Sequence, residues 1–264
     1  MLKRTMLTRL AASLMLVGCL IPATGRADPA YKAIFRDNGR PTWQHLFKLV
    51  GPPCDEVTRE GKRLRVTSCP HNVAGSKVAM VWALAEVDAP AFTVKFDYTH
   101  HGASPPPQGD TVTALMILAG GDGTTDRPAD VAEWDAQCCN GPSHPTMGYA
   151  RHMRGLQLNF AYRFDRRGND FMRLRALKGA ADDYEQIGEV ADVPIADGRA
   201  YRFTVVRDGA DLSVTVRDNV TGMTRSLAVS HPYIGELGAG RIGIRQMAGR
   251  SSSVTGLKVS VPKG

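Results

Sequence analysis

From residue 91 to residue 99 the chain reads AFTVKFDYT, and every second side chain is large and apolar. Phe92, Val94, Phe96 and Tyr98 alternate with Thr93, Lys95, Asp97 and Thr99. A period of two places the first set on one face of a β-strand and the second set on the other. The alternation returns in KRLRVTS, with Leu64 and Val66 on one face, and in DTVTALMIL, RGLQLNFAY, DFMRLRAL, AYRFTVV, ADLSVTVRD, MTRSLAV, GRIGIRQ and TGLKVSV. Turn residues punctuate these runs at Arg167-Gly168-Asn169, Asp208-Gly209, Asp218-Asn219 and Gly238 to Gly240. Only DRPADVAEWDAQ, residues 126–137, has helical character. Many short alternating strands joined by such turns predict an all-β fold, an antiparallel β-sandwich or jelly roll. No repeat, low-complexity tract or Pro/Ser linker divides the chain, so residues 28–264 are expected to form one domain.

The first 27 residues stand apart. MLKRTMLTR is basic, LAASLMLVGCLI is apolar, and PATGRA ends in small residues. Together they predict a signal peptide over 1–27, too short and wrongly flanked for a membrane span, with cleavage after Ala27. LVGC, ending at Cys19, also resembles a bacterial lipoprotein cleavage box. A chain lipidated at Cys19 would be a membrane-anchored lipoprotein; otherwise the protein is expected to be periplasmic or secreted. Lys3, Arg4, Arg9 and Arg26 lie in this segment and no acid does, so beyond it 29 basic residues face 26 acids, a net charge of +3. That balance is too mild for a nucleic-acid partner, while a local basic patch facing an acidic ligand stays open.

Four cysteines remain beyond the signal: Cys54, Cys69, Cys138 and Cys139. An even count in an exported chain predicts disulfides. CDEVTREGKRLRVTSC has a turn at Glu60-Gly61 that folds the chain back, which favours a Cys54–Cys69 bridge worth about 3 kcal/mol. The states of Cys138 and Cys139 stay open. No His or Cys spacing fits zinc, so no metal site and no cofactor is expected. AGGDGTTD, residues 119–126, has the composition of a structural calcium loop but not its spacing.

Two strands and the loop before them carry the functional signal. In 156–160 Leu156, Leu158 and Phe160 leave Gln157 and Asn159 on the opposite face. In 171–176 Met172, Leu174 and Ala176 leave Arg173 and Arg175 opposite. If the strands pair, these four polar residues share a face turned away from the core. A solvated sheet face would look the same. Yet guanidinium forks bind carboxylates, amides donate and accept, and the preceding long loop adds Trp134, His144, Tyr149, Arg151 and His152, with Arg154 at the strand start. Loops longer than about 15 residues in a compact domain are commonly functional. This company suits a polyhydroxylated ligand that carries carboxylates. His100-His101 can line the same groove or simply end a strand.

The segments GLQLNFAYRFDRRGNDFMRLRAL, RAYRFTVVRDGADLSVTVRDNVTG and GRIGIRQMAGRSSSVTGLKVSV resemble the back half of exported bacterial proteins of the concanavalin A-like lectin/glucanase superfamily. They are similar to members found with plant-polysaccharide utilisation genes, over about residues 75–261. The resemblance implies a concanavalin A-like jelly roll whose ligand groove is the face of Gln157, Asn159, Arg173 and Arg175, with Gln246 at its edge. It implies a polysaccharide or oligosaccharide partner and leaves three activities open. The best-known hydrolases of the superfamily carry a Glu-x-Asp-x-Glu strand; here EWDAQ offers Glu133 and Asp135 but places Gln137 where the acid would be. Retaining hydrolysis needs two carboxyls about 5–5.5 Å apart, so this departure weighs against it. A polysaccharide lyase fits the residue inventory better, with the Arg and amide groups clamping a uronate carboxylate, His152 or His144 as base, and Tyr149 or Tyr162 as acid. A lectin-like module would use the same face and Trp134 without turnover.

Overall fold

The computed structural model describes residues 30–50, 56–68, 78–101, 113–120, 154–163, 170–178, 184–193, 195–247 and 251–263. Fifteen strands occur among them: β1 (Tyr31–Arg36), β2 (Phe47–Val50), β3 (Glu56–Glu60), β4 (Arg63–Thr67), β5 (Val78–Val87), β6 (Ala91–His101), β7 (Thr113–Gly120), β8 (Arg154–Arg163), β9 (Asp170–Lys178), β10 (Tyr184–Ala191), β11 (Ala200–Asp208), β12 (Asp211–Asp218), β13 (Thr224–Ser230), β14 (Gly240–Met247) and β15 (Ser251–Pro262). One short helix, α1 (Pro232–Glu236), precedes β14. No helix among the described residues is long and apolar enough to cross a membrane.

The strands form two antiparallel sheets. The first has eight, in the order β13-β12-β11-β6-β15-β4-β3, with β1 also paired to β15. The second has seven, in the order β10-β9-β8-β7-β14-β5-β2. β15 is shared along its length, meeting β4 through Ser251–Thr255 and β1 through Lys258–Pro262. The ladder shifts between Thr255 and Lys258, where Gly256 takes the left-handed φ of +64° that side chains disfavour.

The alternation read from the sequence sets the core. In β6, Phe92, Val94, Phe96 and Tyr98 are all buried. They meet Leu115 and Ile117 of β7, Leu156, Leu158 and Phe160 of β8, and Met172, Leu174 and Ala176 of β9 within one apolar cluster. Aromatic rings pin the sheets together. Phe160 packs 4.8 Å from Tyr98 at 90° and 4.5 Å from Phe203 of β11, geometries that add attraction beyond buried area.

The hairpin expected at Glu60-Gly61 is formed: β3 pairs with β4, Glu60 opposite Arg63 and Glu56 opposite Thr67. Cys54 and Cys69, like Cys138, Cys139 and the helical stretch 126–137, lie outside the described residues. The helix that is described was not legible in advance. It starts at Pro232, whose fixed φ suits a first turn, and the His231 ring accepts a hydrogen bond from the Tyr233 N–H.

Candidate functional site

β8 and β9 pair with Gln157 opposite Arg175 and Asn159 opposite Arg173. The four polar residues singled out in the sequence therefore share one face of the seven-stranded sheet. The inward face carries Leu156, Leu158, Phe160, Met172, Leu174 and Ala176, so this polar face is the outer one.

Register extends it across the whole sheet. One row runs Gln186, Arg175, Gln157, Met116, Gly243, Trp82 and Lys48, from β10 to β2. The next runs Glu189, Arg173, Asn159, Ala114 and Arg245 through β14. Residues directly opposite each other point to the same side. The two rows thus present three guanidinium groups, three amides, one ammonium, one indole and one carboxylate.

It is not a solvated face. Gln157, Asn159, Arg175, Arg245, Met116 and Trp82 are all buried, with Trp82 at 0% exposure. Exposure rises toward β9 and β10, where the side chain of Arg173 is 21% exposed, that of Glu189 35%, and Tyr184 is exposed, and again toward β2, where Lys48 is half-buried. Burial of polar groups calls for internal partners, and several are present. The Gln157 amide donates to Asn159 Oδ1 at 2.6 Å. The Arg175 guanidinium lies 4.6 Å from the Tyr184 ring centroid and that of Arg173 4.4 Å from the Phe171 ring, both within cation–π range.

Arg173 is held in a particular way. Its Nε donates to Glu189 Oε2 at 2.7 Å, and the Gln186 amide donates to the same oxygen at 3.1 Å. Its two terminal nitrogens make no hydrogen bond to any described residue. The guanidinium is therefore held at Nε and over the Phe171 ring, which leaves its terminal pair of donors uncommitted among the described residues. That pair matches the two oxygens of a carboxylate.

Other expected residues fall elsewhere. Gln246 does not border this face. It shares parity with Ile242 and Ile244, points between the sheets, and accepts a hydrogen bond from the Thr113 hydroxyl at 2.9 Å. Thr113 in turn meets Tyr98 Oη at 2.8 Å, and Tyr98 Oη meets His100 Nδ1 at 3.0 Å. His100 and His101 belong to β6 of the other sheet and end that strand. His101 bonds Ser253 Oγ at 2.7 Å, and burial first, then the Arg65 charge, pushes its imidazole below the usual range. Arg154 is exposed at the start of β8, and the backbone of Tyr162 pairs with Phe171. Trp134, His144, Tyr149, Arg151, His152, Glu133 and Asp135 lie outside the described residues, as do residues 121–126 of the glycine- and aspartate-rich stretch. Among the described residues no three His, Cys, Asp or Glu side chains cluster as metal ligands.

Sequence reasoning missed Arg245, Trp82, Tyr184 and Glu189. Arg245 was in reach, because in GRIGIRQ the odd positions oppose Ile242 and Ile244, which selects Arg245 over Gln246. Trp82 was hidden inside VAMVWALAEV, apolar on both faces and therefore without alternation.

Compared by sequence, the chain matches no protein-family model and no curated protein. Solved structures do match. A protein of unknown function with a galectin-like fold from Bacillus subtilis superposes with a TM-score of 0.58 at 16% identity, over 89% of this chain and 100% of that one. The VIP36 exoplasmic/lumenal domain, in its Ca2+- and Man3GlcNAc-bound form, gives 0.57 at 12% identity over 87% and 89%. Lectin UEA-II complexed with galactose gives 0.58 at 12% over 87% and 99%. The fold is the concanavalin A-like jelly roll. At these identities the likeness establishes architecture, and function has to be argued from the residues.

Proposed function

We propose that this is an exported carbohydrate-binding protein whose ligand is an acidic polysaccharide or its oligomers, held on the outer face of the seven-stranded sheet. The observation that carries the reading is Arg173. It is held by Glu189 and Phe171, its terminal nitrogens make no hydrogen bond to a described residue, and it stands opposite Asn159, one row from Arg175 and Gln157. A rigid guanidinium loses less freedom on pairing with a carboxylate than a mobile one does. Two amides beside it supply the donors and acceptors that sugar hydroxyls require. The lectins that share the fold, with galactose or Man3GlcNAc bound, support a saccharide as the ligand class. Export rests on the signal-like first 27 residues.

The lyase reading adds turnover at the same clamp. Its base and acid candidates are His144, His152, Tyr149 and Tyr162, while the saccharide-bound structures that share the fold support binding, which is the reading preferred. The test mixes the mature chain with polygalacturonate, alginate and glucuronan, and with a neutral glucan as control. Retardation on gels containing the acidic polymers, with no rise in the ultraviolet absorbance of unsaturated sugars, is the expected result. Rising absorbance would make the protein a lyase, and indifference to every acidic polymer would overturn the proposal.

A further inference from the structure

Trp82 stands at the far end of the row that begins beside Tyr184. Its chain neighbours Val81 and Ala83 belong to the core cluster and Trp82 does not, so its indole lies on the outer face with Met116 and Arg175. It is seated on Gly243. A Cβ there would fall 2.4 and 2.6 Å from indole carbons Cε3 and Cζ3, closer than real contacts allow, so the missing side chain is what lets the ring lie over β14. The indole Nε1 is fully buried and has no hydrogen-bond partner among the described residues. Indole N–H is a donor only, and buried donors in folded proteins are almost always met by an acceptor.

We infer that the Trp82 N–H is a second ligand-contacting donor, and that the ligand is therefore an oligosaccharide laid across the strands. The inference rests on the carbohydrate reading above. Arg175 and Trp82 are four strand spacings apart through Gln157, Met116 and Gly243, about 19 Å at ~4.8 Å per strand. A single sugar cannot touch both ends, whereas a short chain can. The division of labour follows from chemistry: cations at the β9 end take a carboxylate, and a neutral N–H at the β5 end takes a hydroxyl or ring oxygen several sugars away. Trp82 is fully buried, so a sugar reaches its N–H only where the chain yields to it, which a monosaccharide anchored at Arg173 does not require.

The experiment titrates the mature chain with galacturonate and, separately, with its linear tetramer, by calorimetry and by NMR of the indole N–H signals. Trp82→Phe, which keeps a ring and lacks the N–H, identifies the Trp82 signal. The tetramer is expected to bind at least about tenfold more tightly than the monomer, or 1.4 kcal/mol at 25 °C. The Trp82 signal shifts with the tetramer alone, and Trp82→Phe costs the tetramer about tenfold. Should that variant fail to fold, the shift in the native chain decides. Equal affinities, or tetramer binding that leaves the Trp82 signal unmoved, overturn the inference while the carbohydrate reading stands. Binding of neither sugar, and of no alginate or glucuronan oligomer either, removes both.

Discussion

Breaking the Asp37–Arg59 pair should cost far more than deleting it. Asp37 follows β1, Arg59 lies in β3, and the two join segments 22 residues apart by a two-pronged contact: Nη1 to Oδ2 at 2.9 Å and Nη2 to Oδ1 at 3.0 Å. Their side chains are only 1% and 5% exposed. Asp37 Oδ1 also accepts the Gly39 N–H at 3.0 Å, and Arg59 Nη1 also donates to the Lys62 carbonyl at 3.3 Å. Asp37→Leu strands a buried guanidinium and Arg59→Met strands a buried carboxylate, each worth about 3–5 kcal/mol. The double variant Asp37→Leu/Arg59→Met removes both desolvation costs together, so it should lose no more than about 1–2 kcal/mol. Arg59 Nε is already buried without a partner, which tilts the double variant further toward neutrality. Urea unfolding at neutral pH gives the three stabilities from midpoints and slopes, and the cycle should show coupling above about 2 kcal/mol. Single losses below about 1 kcal/mol, or losses that simply add, would show that the pair behaves as a surface ion pair and would refute the reasoning.

Three further outcomes follow from other contacts. Gly243→Ala drives a methyl into the buried indole of Trp82, so overpacking should lower stability by about 1–3 kcal/mol, read as a fall in Tm. At Asp218, burial raises the carboxyl pKa, but the backbone N–H groups of Val220 and Thr221 and the Arg199 guanidinium outweigh it and bring it to about 2. With a folded pKa below the unfolded one, its stabilisation is complete above about pH 4 and lost as pH falls toward 2. Asp218→Asn should therefore flatten the acid limb of a urea-midpoint profile, and an unchanged limb would contradict the assignment. Glu189→Gln keeps an acceptor for Arg173 Nε but removes the carboxylate beside it, so uronate affinity should rise severalfold at low salt and the gain should shrink as salt screens it. A fall in affinity would mean that Glu189 is needed as an anion.

The strand faces were legible because a period of two survives whatever the strand packs against. β6 and the β8–β9 pair fall where alternation puts them. Burial of Gln157, Asn159 and Arg175 was not legible. Alternation reports which side a residue takes, and whether that side meets water depends on distant segments. β5 hid Trp82 because Val81, Trp82 and Ala83 are all apolar and all buried, which leaves no alternation at that point. β10, YEQIGEVA, hid for the opposite reason, since its edge position leaves it mostly exposed and polar. His100 and His101 are adjacent in sequence, so they take opposite faces of β6. Gln246 was misplaced through disregard of the parity that had served for Gln157 and Arg173.

The most direct measurement compares polygalacturonate with the same polymer after its carboxyl groups are reduced to alcohols, titrated against the native chain and Arg173→Met. A charge-assisted bond contributes about 1.5–3 kcal/mol, so carboxyl reduction should weaken native binding by at least about tenfold. The variant should bind both polymers alike, at the weaker level. Equal binding of the two polymers by the native chain would contradict recognition of an acidic sugar by Arg173.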